Sequence, residues 1–176
     1  MPKVSVVIPN YNGEKYIKEC MDALLKQSEK DFDVIFVDNA SEDGSLDEIK
    51  HYNKKLKLDL IKLDKNYGFS KAVNEGIKAS KAEYVILLNN DTHVGKHFIE
   101  ELLKAIQEDE NIFAAQALML QYDAPDKVDS AGDYFCGLEW RSRLGRIRPP
   151  HNIIRKKIFF PPVPELPFTE KKFLTK

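Results

Sequence analysis

The sequence predicts an α/β fold: a mostly parallel, Rossmann-like sheet with helices on both faces. Three observations carry that reading. Short β-branched runs alternate with amphipathic stretches through about residue 120, and such alternation builds right-handed βαβ units. The runs are apolar throughout, as strands buried on both faces are. Each run stops abruptly in Asn, Asp, Gly or Pro, the residues that turn a chain.

Val4 to Ile8 is the first strand and stops at Pro9. Glu14 to Gln27 takes helical period, with Ile17, Cys20, Met21, Leu24 and Leu25 on one stripe. Val34 to Val37 is the second strand, ending at Asp38. Ser45 opens a helix with Glu48 three residues on, the pattern of a capping box. Leu58 to Leu63 is a third strand, and Ser70 to Ser80 a helix with Ala72, Val73 and Ile77 inward. Tyr84 to Leu88 is the fourth strand. Phe98, Leu102, Ala105 and Ile106 mark the next helix, and Ile112 to Leu120 is a fifth strand. After Asp123 the character changes to turns, a basic stretch and the proline-rich FFPPVPELPF, which suits neither a helix nor a central strand. The chain therefore divides into an α/β unit, 1–122, and a segment, 123–176, too irregular to be a second complete domain.

Composition narrows the function. Of 176 residues, 43% are apolar, which suits one globular domain. Lys plus Arg, 27, nearly cancels Asp plus Glu, 28, so no overall charge favours nucleic acid. Cys20 and Cys136 cannot build a disulfide framework or a CxxC metal pair, and a reducing compartment follows. MPKVSVVIPN is too short and too soon broken to be a secretory signal, and no stretch has the length of a membrane span. The expectation is a cytoplasmic protein, or one peripheral to the inner face of the membrane.

Ligands of open parallel sheets bind beyond the carboxyl ends of the strands. The strand exits here read PNYNG, DNASEDGS, DKNYGFS and NNDT. Each alone is an ordinary polar loop; together they line one edge with amides, carboxylates and aromatics. Neither G-x-G-x-x-G nor G-x-x-x-x-G-K-[ST] occurs, which disfavours a dinucleotide fold and a P-loop. Tyr11 offers a flat face for a base, and Asp38 offers acceptors for a pyrimidine N–H or a ribose hydroxyl. Asp91 offers one hard oxygen for a divalent cation that also holds phosphates. Side chains alternate along a strand, so Asn89 and Asp91 share a face and Asn90 points the other way.

The order V-S-V-V-I-P-N-Y-N-G, V-D-N-A-S-x-D-G-S, N-Y-G-F-S-x-A-x-N-x-G-I, L-L-N-N-D-T resembles the family 2 inverting glycosyltransferases, and most nearly their rhamnosyltransferase-like branch. VDSAG at 128–132 and Gly137 are similar to that branch too. The resemblance implies a GT-A nucleotide-diphospho-sugar transferase fold, a UDP- or dTDP-sugar donor, a glycan or lipid-linked acceptor, and Mg²⁺ or Mn²⁺ as cofactor. It implies that Pro9, Asn10 and Tyr11 line the nucleotide site. Asp38 would contact the base, with Asn39, Ala40 and Ser41 forming the adjoining loop. Asn66 and Gly68 would shape the loop near the nucleotide, with Asn74 on the helix behind it. Asn89, Asn90 and Asp91 would stand in place of the D-x-D motif, with Asp91 holding the metal. The family's general base is a carboxylate in the second half of the domain. The chain departs from the pattern there: after residue 150 only Glu165 and Glu170 are acidic, in a proline- and lysine-rich tail, so no base is assigned. Truncation, a frame disruption or an engineered fragment would each produce this incomplete acceptor half. Donor binding without turnover is the rival reading.

Other classes fit less well. A sugar nucleotidyltransferase would show G-x-G-T-R after the first strand, and a phospho-aspartate receiver an acidic pair there; the chain has Pro9 and Asn10. His93 and His97 have the spacing of a helical zinc pair but no third ligand. Arg141, Arg143, Arg146, Arg148, Arg155, Lys156 and Lys157 form either a solvated loop or a clamp for a diphosphate or anionic lipid head groups. No aromatics interleave them, which speaks against nucleic acid. Trp140 either packs over a sugar or plugs the sheet end. An unpaired sheet edge in an incomplete fold would favour a homo-oligomer.

Overall fold

A computed structural model describes residues 1–130 and three further strand segments, 133–135, 141–143 and 172–175. In chain order the main elements are β1 (Val4–Asn10), α1 (Glu14–Leu25), β2 (Phe32–Asp38), α2 (Ser45–Lys50), β3 (Leu58–Lys62), α3 (Phe69–Ala79), β4 (Tyr84–Leu87), α4 (Phe98–Gln107) and β5 (Ala114–Gln116). Two antiparallel pairs come next: β6 (Met119–Gln121) with β7 (Ala124–Ser130), and β8 (Asp133–Phe135) with β9 (Arg141–Arg143). The last strand is β10 (Lys172–Thr175). Among the described residues, the main sheet has six strands in the order β3-β2-β1-β4-β10-β5, and every pairing in it is parallel.

The apolar runs form strands because both of their faces are covered. Val4, Val6, Ile8, Val34, Phe36, Ile86 and Leu88 pack with α1, α2 and α4 on one face. Val7, Ile35, Val37 and Val85 pack with Ala72, Val73 and Ile77 of α3 on the other. Gly76 allows α3 to lie close, since a Cβ there would stand 2.4 Å from a methyl of Val7. Cys20 is buried within the first of these layers, as its place on the α1 stripe predicts.

Two registers align the strand exits. β1 pairs with β2 from Val4↔Phe32 to Asn10↔Asp38. It pairs with β4 from Val4↔Tyr84 to Val7↔Leu87. Continued three residues past Leu87, the second register sets Asn10 opposite Asn90. The connection from β3 to β4 steps over β2 and β1, so the strand order reverses at β1, and crevices for ligands form at such switch points.

Three expectations change. Ile112 to Leu120 is not one strand: β5 is confined to Ala114–Gln116 and β6 leaves for a separate pair. Phe113, Leu118 and Leu120 are exposed, so the run's apolar character does not mark burial. Ser45 is not an N-cap; Gly44 holds that position with no side-chain cap bond, and Ser45 is buried. The tail, read as irregular, returns to the main sheet as β10 between β4 and β5. Gly137, Trp140, Glu165, Glu170 and most of the basic stretch lie outside the described residues.

Candidate functional site

The exits of β1, β2 and β4 converge at the switch point. Asn10 and Asp38 end their strands on one level, both with 2% of their surface exposed. Burying a carboxylate is costly unless it is hydrogen-bonded, and Asp38 is. Its Oδ1 accepts from Asn10 Nδ2 at 3.1 Å and from Ser41 Oγ at 2.6 Å, and its Oδ2 accepts the Ser41 N–H at 3.0 Å. Asn10 Nδ2 also donates to Ser41 Oγ at 3.0 Å. Asn10 Oδ1 accepts from Asn90 Nδ2 at 2.5 Å. One network therefore joins three strand exits.

The β1 and β2 loops are clasped further along. Ser41 Oγ accepts the Asn12 N–H at 3.0 Å, and Asn12 Oδ1 accepts the Glu42 N–H at 2.8 Å. The Glu14 N–H, at the start of α1, donates to Asp43 Oδ2 at 3.0 Å, and Glu14 Oε2 accepts the Gly44 N–H at 3.0 Å. Burial raises the Asp43 carboxyl, but hydrogen bonds from Ser45 and the Glu14 N–H outweigh it and leave its pKa below the ordinary value. Ser45 Oγ accepts the Gly13 N–H at 3.1 Å, the use that took it from the cap. Asn12 and Ala40 hold φ of 51° and 61°. These left-handed conformations are uncommon outside glycine, and they turn the loops sharply over the strand ends.

The β3 loop is held from β2. Asn39 Nδ2 donates to Asn66 Oδ1 at 2.8 Å, and Asn39 Oδ1 accepts the Tyr67 N–H at 2.9 Å. Asn66 Oδ1 also accepts the Gly68 N–H at 2.9 Å. Gly68 sits at φ 83°, ψ 169°, a region open only to glycine. This loop presents Tyr67 and Phe69 to solvent, the latter 60% exposed. Tyr11, at 47%, is exposed on the β1 loop. Asn74 lies exposed on α3.

At the fourth exit β4 stops at Leu87, and the backbone turns at Asn90 and Asp91. Asn90 is nevertheless set apart from Asn89 and Asp91, as alternation predicts. Asn90 keeps the level and face of Asn10, while Asn89 and Asp91 are exposed. The Asn89 carbonyl accepts from Thr92 Oγ1 at 2.7 Å and from Cys20 Sγ at 3.8 Å, which pins the turn to α1. The Asp91 carboxylate makes no hydrogen bond or ion pair among the described residues.

No group of three or more His, Cys, Asp or Glu stands together among the described residues. His93 and His97 precede α4 and go separate ways. His93 Nδ1 lies 3.1 Å from Glu19 Oε1, and His97 Nδ1 lies 3.0 Å from Glu100 Oε2.

Sequence reasoning brought Asn10, Asp38, Asn39, Ser41, Asn66, Gly68, Asn89, Asn90 and Asp91 to this edge, with Pro9, Tyr11 and Ala40 beside them. It missed Asn12, Gly13, Asp43 and Ser45, which lock the loops. The DG of SEDGS was the available signal, a turn whose Asp accepts a helix N-terminal N–H.

The model of the Glycosyl transferase family 2 matches residues 5–163 and so includes all of these loops. The chain belongs to glycosyl transferase family 2. It is 34% identical over 111 residues to the poly(ribitol-phosphate) β-N-acetylglucosaminyltransferase TarS of Staphylococcus aureus, across 61% of this chain and 19% of TarS. It is 39% identical over 97 residues to the poly(ribitol-phosphate) β-glucosyltransferase of Bacillus spizizenii, across 53% of this chain and 15% of that protein. The crystal structure of S. aureus TarS 1–349 in complex with UDP aligns with a TM-score of 0.63 and 31% identity, covering 68% of this chain and 36% of that one. The fold is the GT-A type that the motifs imply. The chain thus spans 15% to 36% of the length of these relatives.

Proposed function

We propose that this family 2 chain is a glycosyltransferase that binds a nucleotide-diphospho-sugar, a UDP- or dTDP-sugar, along the exits of β1 to β4 and moves its sugar to a glycan or lipid-linked acceptor. The single observation that carries the reading is the hydrogen-bonded edge in which Asn10, Asp38, Ser41 and Asn90 are fixed while Asp91 stays open to solvent. The UDP in the related TarS structure supports a uridine donor.

In this reading Tyr11 supplies a face for the base. Asp38 reaches the base or ribose through the acceptor capacity its internal bonds leave free. The β3 loop, with Asn66 and Gly68, closes the nucleotide side. Asn89 and Asp91 face the diphosphate. Asp91 fits a divalent cation: it is an exposed hard oxygen donor with no competing protein partner among the described residues, and Mg²⁺ commonly takes one or two carboxylates plus phosphates. Bound Mg²⁺ or Mn²⁺ would stabilise the negative charge on the departing diphosphate. The acceptor is a glycan or lipid-linked chain of the cell surface, a class supported by the names of the poly(ribitol-phosphate) relatives. Its hydroxyl attacks the anomeric carbon opposite the diphosphate and gives its proton to a general base.

None of the described helices is long and apolar enough to cross a membrane. Peripheral contact of the basic stretch with anionic head groups would bring the protein to a lipid-linked acceptor at the inner membrane face.

A second reading is a nucleotide-sugar-binding module without turnover, which would need only the hydrogen-bonded edge of Asn10, Asp38, Ser41 and Asn90. Incubation with UDP-sugars and detection of released UDP decides between them. Release that Asp91→Ala reduces at least a hundredfold establishes an enzyme; binding without release from the native chain establishes the module.

A further inference from the structure

Asn90 occupies the middle of the NND turn, yet its side chain is directed into the protein. Its Nδ2 donates to Oδ1 of Asn10, across the switch point from β4 to β1. The polarity of that bond is not free. Both Asp38 oxygens act as acceptors, Oδ1 from Ser41 Oγ at 2.6 Å and Oδ2 from the Ser41 N–H at 3.0 Å. Asn10 must therefore turn its Nδ2 toward Asp38 Oδ1 and Ser41 Oγ, 3.1 and 3.0 Å away. Its Oδ1 is then left facing Asn90, and residue 90 must be a donor. An amide satisfies this, and a carboxylate does not.

A second observation points the same way. Gly13 lies directly over the bond: a Cβ there would stand 2.1 Å from Asn90 Nδ2 and 2.3 Å from Asn10 Oδ1. Only glycine admits the pair at that place. The chain of bonds that reaches Asp38 thus begins one residue before Asp91 and runs wholly through buried or half-buried amides.

We propose that Asn90 is a positioning residue that ties the Asp91 turn to the Asp38 loop through Asn10, so that cation binding and nucleotide binding strengthen one another. The proposal rests on the donor-site reading. It makes position 90 a hydrogen-bond donor to protein rather than a ligand of the nucleotide. Linkage is reciprocal, so the gain in UDP affinity caused by Mn²⁺ measures it.

The test is calorimetric titration of UDP, with and without Mn²⁺, into the native chain, Asn90→Ala, Asn90→Asp, Asn10→Ala and the double variant Asn10→Ala/Asn90→Ala. Asn90→Asp separates the readings by sign. A carboxylate beside Asp91 would hold a cation or a ribose hydroxyl at least as well as an amide, if residue 90 touched ligand. The tie predicts the reverse, because that carboxylate would face Asn10 Oδ1. The expected result is a roughly tenfold loss of the Mn²⁺-dependent UDP affinity in Asn90→Asp, no smaller than in Asn90→Ala. The double variant is expected to lose no more than Asn10→Ala alone. Equal or tighter Mn²⁺-dependent binding in Asn90→Asp overturns the proposal. So does UDP binding that Mn²⁺ leaves unchanged in the native chain, which spares the donor-site reading. No UDP binding at all overturns both. If Asn10→Ala does not fold, the comparison of Asn90→Asp with Asn90→Ala decides alone, since residue 90 is half-exposed and its replacement leaves the core intact.

Discussion

Two glycines show what the site demands of single residues. Gly68 has open space around it but a backbone angle no side chain tolerates; Gly13 has an ordinary φ but no space. Gly68→Ala is expected to destabilise by about 1–3 kcal/mol through backbone strain. Gly13→Ala is expected to cost a similar ~1–3 kcal/mol by overpacking and also to break the Asn90–Asn10 bond. Urea unfolding of both variants checks the energies, and only Gly13→Ala should also lose Mn²⁺-dependent UDP affinity. The sequence showed that polar residues gather at strand ends, because turn chemistry is local. It did not show that Asp38 is buried or that Asn39 is spent on Asn66 and Tyr67, because those partners lie 27 or more residues away. Alternation set Asn90 apart from Asn89 and Asp91, but it could not show the bond to Asn10, 80 residues away.

At the scale of elements, β1, β2, β4 and the helices α1, α3 and α4 were legible because burial on both strand faces, or on one helix stripe, writes itself into the sequence. β5 was not, since exposed Phe113, Leu118 and Leu120 imitate a buried run. β10 was not, since a four-residue strand after a proline-rich stretch has no period to read. Phe36, buried at the centre of β2, should cost about 3–5 kcal/mol when changed to Ala; chemical denaturation measures it. The start of α4 carries a pH signature. Hydrogen bonds from Lys104, Ser28 and His97 hold the Glu100 carboxyl down to about 2, from an ordinary 4.5. A carboxyl depressed on folding contributes stability above its unfolded value and loses it as pH falls. The contribution is therefore whole above about pH 4.5 and fades toward pH 2, and screening at this exposed site keeps it small. Acid unfolding of Glu100→Gln should be shallower than that of the native chain across that window.

For the whole molecule, the sheet order places the reversal at β1, and the candidate site forms there because Asn10, Asp38 and Asn90 share one level across three strand exits. That convergence comes from the registers, which only the folded chain displays. β10 sits between β4 and β5, so deletion of residues 172–176 should raise amide exchange in Tyr84–Leu87, whose backbone groups on that side lose their partners. Among the described residues, β3 and β5 are the edge strands of the sheet. A metal-assisted nucleotide site at the carboxyl edge stands or falls on calorimetric titration of UDP into the native chain and Asp91→Ala, with and without Mn²⁺. UDP should bind the native chain, Mn²⁺ should tighten that binding at least tenfold, and the gain should vanish in a fully folded Asp91→Ala. Folded native chain that binds no UDP under either condition, or a Mn²⁺ effect that survives in Asp91→Ala, would contradict the site.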